Sequence, residues 1–186
     1  MIGDETIKHV DAKPRFFKEV RQRPNVDLVL RTAQQQHMAL STMADTKASI
    51  LITVSSIVLT IALSRSGDPQ VRAALLTLAF ACLVALILAI IAVLPGFGKT
   101  PGRRNFLFFG HFAEMTEEEF MRAIEQIVAT DEGVYEAITR DIYSLGTFLY
   151  KKKYRFIRYA YIALLTGFIV ATLVEVWVLT FAPPVP

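Results

Sequence analysis

A single cysteine, Cys82, occurs in 186 residues, so the chain can form neither an internal disulfide nor a thiolate metal site. Histidine is almost as scarce: His9, His37 and His111 are the three present, and no His-Glu-x-x-His or Cys/His cluster joins them. No Ser, His and Asp order supports a triad, and Glu117-Glu118-Glu119 is explained by acids favouring the positive end of a helix dipole. Gly98-Lys99-Thr100 imitates the end of a phosphate-binding loop, but Val93 stands where that motif requires glycine, and no strand signal precedes it. Alternating strand patterns and internal repeats are missing throughout. Catalysis therefore has no visible address: no enzyme, no metal and no cofactor is expected.

Charge is missing in a more informative way. None occurs between Lys47 and Arg65, between Arg72 and Lys99, or between Arg158 and Glu175. The chain is 53% hydrophobic with a mean hydropathy of +0.42, too apolar for an average soluble domain, and these windows hold the excess. A helix of about 20 mostly apolar residues crosses a hydrocarbon core about 30 Å thick. The fold class expected is an all-α membrane protein with three transmembrane helices, over residues 46–64, 72–95 and 155–181. Leu75 to Leu94 has no polar face, which argues for lipid rather than for the flank of a soluble core. Glu175 is the one acid inside a span. Such a residue is a functional candidate by default, although its place near the outer interface beside Trp177 allows water to reach it.

Lysine and arginine near the span ends set the orientation. They crowd the N-terminal part (Lys8, Lys13, Arg15, Lys18, Arg21, Arg23 and Arg31), the stretch after the second span (Lys99, Arg103, Arg104) and the stretch before the third (Lys151, Lys152, Lys153, Arg155, Arg158). Those belong inside; the turn from Arg65 to Arg72 and the tail Ala182 to Pro186 belong outside. The net charge of +3 then suits an anionic inner leaflet better than a nucleic acid, because the basic residues track the span ends. The first 25 residues are polar, without the apolar run of a signal peptide, and read as an arm.

From Val26 to Ser64 neither proline nor glycine occurs, and Leu30, Ala33, His37, Leu40, Ala44, Lys47 and Leu51 recur at alternating spacings of three and four. A long helix over 26–64, packed along that seam and standing partly outside the bilayer, is the expectation. Residues 96–153 read as a cytoplasmic helical region. One helix starts at Thr116, a capping box with Glu119 and a Met115–Phe120 staple, and ends near Thr130. Another starts around Asp131 with Val134, Ile138, Ile142, Leu145 and Leu149 on one stripe, and only Gly146 interrupts it before Phe181. On the first helix Asp45 and Lys47 lie roughly 200° apart, so they cannot pair with each other. An acid at an anionic leaflet and a seam carrying both His37 and Lys47 point to partners on a neighbouring helix or to a ligand.

Three blocks carry a resemblance. His37 through Leu51 (HMALSTMADTKASIL), Asn105 through Ala113 (NFLFFGHFA) followed by Thr116 to Phe120 (TEEEF), and Asp141 through Gly146 (DIYSLG) followed by Lys153 to Arg158 (KYRFIR) resemble the transmembrane effector family of the Pycsar antiphage system, over about residues 28 to 180. Some members carry a phosphohydrolase domain in front; a short arm stands there in this sequence. The resemblance implies a bacterial inner-membrane protein with a cytoplasmic N-terminus, activated by a cyclic pyrimidine mononucleotide, cyclic CMP or cyclic UMP, from a partner cyclase, and impairing the membrane so that infection aborts. It supplies no established binding residue. A single phosphate wants a cation or helix N-terminus, and a flat base wants an aromatic or an amide. The ligand-binding or signal-coupling candidates are therefore His37, Asp45, Lys47, Asn105, Arg140, Tyr143, Lys153 and Tyr154. Three spans enclose no pore, so a homo-oligomer is expected, joined through Ser49, Thr53, Ser56 and Thr60. The competing reading is a non-enzymatic membrane scaffold that recruits a cytoplasmic partner through its helical stalk.

Overall fold

A computed structural model describes residues 17, 23–94, 105–108, 112–113 and 115–181. Most of the N-terminal arm, the loop from Pro95 to Arg104 with its Gly98-Lys99-Thr100, His111, and the tail from Ala182 lie outside the described residues. Among the described residues the secondary structure is helical and contains no strand.

Helix α1 spans Pro24–Arg65. Its start has no side-chain cap; Pro24 sits in the first turn, where a missing N–H is tolerated and the fixed φ suits a helix. At about 1.5 Å per residue its 42 residues form a rod about 63 Å long, roughly twice a bilayer core. Most hydroxyls along it do not break it, because they turn back onto their own helix; the buried Ser55 Oγ has no hydrogen-bond partner among the described residues. Thr42, Thr46, Ser49, Thr53, Ser56 and Thr60 each donate to the carbonyl four residues earlier, at 2.7–3.2 Å. Helix α2 (Arg72–Val93) follows after a short turn and is apolar all round.

Helix α3 (Glu117–Val128) carries the capping box in full. Thr116 Oγ1 accepts from the Glu119 amide at 3.3 Å, and Glu119 Oε2 accepts from the Thr116 amide at 3.0 Å. The ring recorded against Phe120 is that of Phe112, with centroids 5.1 Å apart. Helix α4 (Asp131–Phe148) starts at Thr130, whose hydroxyl accepts from the Gly133 amide at 3.1 Å. A π-helical segment, Leu149–Tyr154, then joins it without a break to α5, Arg155–Phe181. The chain is thus helical for 51 residues from Asp131 to Phe181.

Helix α2 packs along both α1 and α5. The interior is built of small residues: Ala44, Ala48 and Leu51 of α1, Ala89 and Ala92 of α2, and Ile157 and Ala160 of α5 form one buried cluster. Farther along, a Cβ on Gly167 would lie 2.1 Å from Ala81 Cβ, so α2 and α5 touch backbone to backbone there. The large apolar side chains point the other way, with Phe80 69% and Leu173 62% exposed. A water-soluble protein buries such groups and leaves no continuous belt of them outside. Helices α1, α2 and the continuous α4–α5 rod are each long and apolar enough to cross a membrane.

The seam on α1 differs from the expected one in phase. Half-buried or buried positions along it include Leu30, Ala33, Gln34, His37, Ser41, Ala44, Ala48, Leu51 and Ser55, whereas Leu40 and Lys47 are exposed. Five of the seven expected members hold, Ala33 among them; Leu40 and Lys47 give way to Ser41 and Ala48, each one residue further on. Close helix contact needs small side chains, which Ser41, Ala48 and Ser55 supply; turning Lys47 inward would strip its ammonium of water.

Candidate functional site

The candidates gather where the polar stalk of α1 and α4 meets the spans, and the π segment organises them. All six of its residues are engaged. Leu149 is buried, Tyr150 and Lys151 line an open groove, and the next three fasten the rod to its neighbours. Lys152 Nζ donates to the Leu94 carbonyl at the end of α2 (3.2 Å) and lies 5.5 Å from the Phe148 ring centroid. Lys153 Nζ donates to both carboxylate oxygens of Asp45 on α1 (2.7 and 2.8 Å) and to Ser41 Oγ (2.9 Å). Tyr154 Oη donates to the Leu40 carbonyl at 3.1 Å. A π turn is wider than an α turn, which lets consecutive side chains reach neighbours that straight α geometry would spread apart. The Lys153 side chain is 13% exposed and Asp45's 43%, so the pair is more sheltered than a surface salt bridge and less than a buried one.

Asp45 thus has its partner on a neighbouring helix. Lys47, its companion in sequence, points away from the seam and joins nothing in this constellation. His37 stands two turns below Asp45 on the same face. Its Nδ1 lies 2.7 Å from the Ala33 carbonyl, and because a carbonyl only accepts, Nδ1 carries the proton and Nε2 the lone pair. That Nε2 faces Gly146, where an added Cβ would come within 2.8 Å of it. Tyr143, Gly146, Tyr150 and Lys151 share with His37 a groove of about 350 Å³.

Farther from the spans, Asp141, which opens the DIYSLG block but is not among the expected ligand-binding or coupling residues, is a hub. Gln34 of α1 and Asn105 donate to its two carboxylate oxygens at 3.0 and 2.9 Å. Asn105 Nδ2 also donates to Ser144 Oγ (3.0 Å), and Asn105 Oδ1 accepts from the Leu107 amide (3.1 Å). Asn105 is buried, and its side chain ties the 105–108 segment to α4. Arg140 pairs with Glu136 one turn earlier and lines a groove of about 290 Å³ with Asn105. Near the start of α1, Tyr135 Oη donates to Asp27 at 2.7 Å; that bond to a carboxylate, followed by burial, pushes the tyrosine pKa above its ordinary value. Gln34 and Ser41 were readable in principle, since a seam with its intermediate members four residues on contains both. Asp141 and Lys151 were visible only as the start of a family block and as one of the basic residues before the third span, and Tyr150 carried no signal. No group of three or more His, Cys, Asp or Glu residues suited to a metal occurs among the described residues.

A family model, described as the Pycsar effector protein domain, matches residues 28–181. The chain belongs to that family. No curated protein and no solved structure matches it. Membership supports a role in the Pycsar antiphage system, and with it the family implies a cyclic-nucleotide signal and a membrane context. The matched residues include the whole of the junction: the stalk of α1 from Leu28 on, the Asp141 hub and the π segment all fall inside the Pycsar effector domain.

Proposed function

We propose that the chain is a non-catalytic, ligand-gated effector. It senses a cyclic pyrimidine mononucleotide, cyclic CMP or cyclic UMP, made by a partner cyclase, and then impairs the bacterial inner membrane so that infection is aborted. The observation that carries this reading is the continuous helix from Asp131 to Phe181. Its first part forms the polar stalk, its last part is apolar enough to span, and its π joint is clamped to α1 through Lys153 and Asp45. A displacement in the stalk has a rigid route into the bilayer, and a clamp of a few hydrogen bonds has two discrete arrangements, made and broken.

Orientation and assembly follow from charge and shape. Lys47, Lys151, Lys152, Lys153, Arg155 and Arg158 ring the stalk end of the spans, whereas the opposite turn offers Arg65, Arg72 and Asp68. That asymmetry favours a cytoplasmic stalk and N-terminus. Three spans cannot enclose a conduit, and the outward face of α1 with Ser49, Thr53 and Thr60 is low enough in profile for a second copy to approach closely. A homo-oligomer is the form in which the effector acts.

The test is dye release and loss of potential in proteoliposomes holding the purified chain. Addition of cyclic CMP or cyclic UMP is expected to trigger both. If neither nucleotide binds saturably and neither causes leakage, the gated-effector reading is wrong, and a scaffold recruiting a partner through its stalk takes its place.

A further inference from the structure

Among the described residues, three of the grooves on the stalk differ in the charge of their linings. The one of about 390 Å³ contains Asp27 and Asp131 against a single Arg31, and its Tyr135 hydroxyl and Gln34 amide are already bonded. An anion entering it meets a net negative wall. The groove of about 290 Å³ offers Arg140, but that guanidinium is held by Glu136, which lines the same groove. The third, about 350 Å³, contains no acid. It presents Lys151, the lone pair on His37 Nε2, and the rings of Tyr143 and Tyr150, which are 74% and 76% exposed. Two tyrosines seven residues apart share one helix face about two turns apart, and between them the absence of a side chain at Gly146 lets the His37 imidazole lie close against the helix. Among the described residues neither ring nor hydroxyl has a hydrogen bond or an aromatic contact.

We propose that this groove is the receptor site for the cyclic mononucleotide. Lys151 takes the single phosphate charge, a tyrosine ring stacks on the pyrimidine, and His37 Nε2 accepts a hydrogen bond from the ligand. The donors available to it are the exocyclic amine of cytosine, the ring N–H of uracil, or the ribose 2′-hydroxyl. Stacking on tyrosine is available to any flat base, whereas an acid-free lining with one cation selects a monoanion. The inference rests on the cyclic-nucleotide reading above and adds its address. That address also explains coupling: Tyr150 and Lys151 are the residues immediately before the three that hold the π joint to α1 and α2. A ligand drawn against them bears on the clamp.

Equilibrium binding of radiolabelled cyclic CMP and cyclic UMP to the full chain in detergent decides it. Tyr150→Ala and Lys151→Gln are expected to weaken binding at least tenfold, Lys151→Arg to stay within about threefold of the parent, and Arg31→Gln, in the acidic groove, to change it less than twofold. Tyr150 and Lys151 are exposed, so these changes leave the fold intact, which the thermal midpoint by circular dichroism verifies. Unchanged affinity in Tyr150→Ala and Lys151→Gln, with the parent chain binding normally, overturns the groove and leaves the function standing. Failure of the parent chain to bind either nucleotide overturns both.

Discussion

Asp45 is the residue where sequence and structure converge most closely. An acid at the mouth of an uncharged run demanded a partner, and Lys153, more than a hundred residues away in sequence, provides one with two hydrogen bonds. Charge-assisted bonds of this kind contribute about 1.5–3 kcal/mol when sheltered, and the partial exposure of Asp45 reduces that. A double-mutant cycle of Asp45→Ala and Lys153→Ala, followed by thermal unfolding in detergent, should give a coupling of about 1 kcal/mol. The same cycle with Lys47→Ala in place of Asp45→Ala should give a coupling indistinguishable from zero. A coupling for Lys47 as large as for Asp45 would mean that the clamp is drawn between the wrong residues. His37 shows the limit of reading one side chain: its place on the seam was visible, but the tautomer follows from a carbonyl one turn back.

Among the elements, the contact between α2 and α5 is the least forgiving. Gly167 lies so close to Ala81 that an added methyl has nowhere to go, and neither neighbouring atom is a flexible tip that could swing aside. Gly167→Ala should destabilise the bundle by about 1–3 kcal/mol, the usual consequence of overpacking. Adding Ala81→Gly should recover most of it, because the methyl group is then moved from one helix to the other. Absence of that recovery in the unfolding midpoint would show that the helices do not meet at this pair. The α3 start was legible in advance because a capping box is a local device, satisfied by residues three apart. The π segment was not: Leu149 to Tyr154 contains no proline, glycine or other sign of a changed turn, and its widening is stabilised by bonds to α1 and α2.

At the scale of the whole molecule the solvent decides. Small residues face inward and large apolar ones outward, an arrangement that is stable only where the surroundings are as apolar as the side chains. Glu175 sits in that setting half-buried, and its Oε2 has no hydrogen-bond partner among the described residues. Glu175→Gln should leave insertion into membranes unchanged, and, if the carboxylate lines a conducting path, should reduce nucleotide-triggered depolarisation severalfold; unaltered depolarisation assigns Glu175 to the outer interface alone. Composition and charge spacing by themselves determined the class, the number of spans and the helical stalk. Each rests on local hydropathy and hydrogen bonding within one helix, and none of the three needs a distant partner. Tertiary structure alone decided which phase of the α1 seam is buried, which residue completes Asp45, and where the rod from stalk to span widens into a π turn. Those depend on which helices stand beside one another, and a choice between neighbouring faces 100° apart is settled by the neighbour, not by the helix.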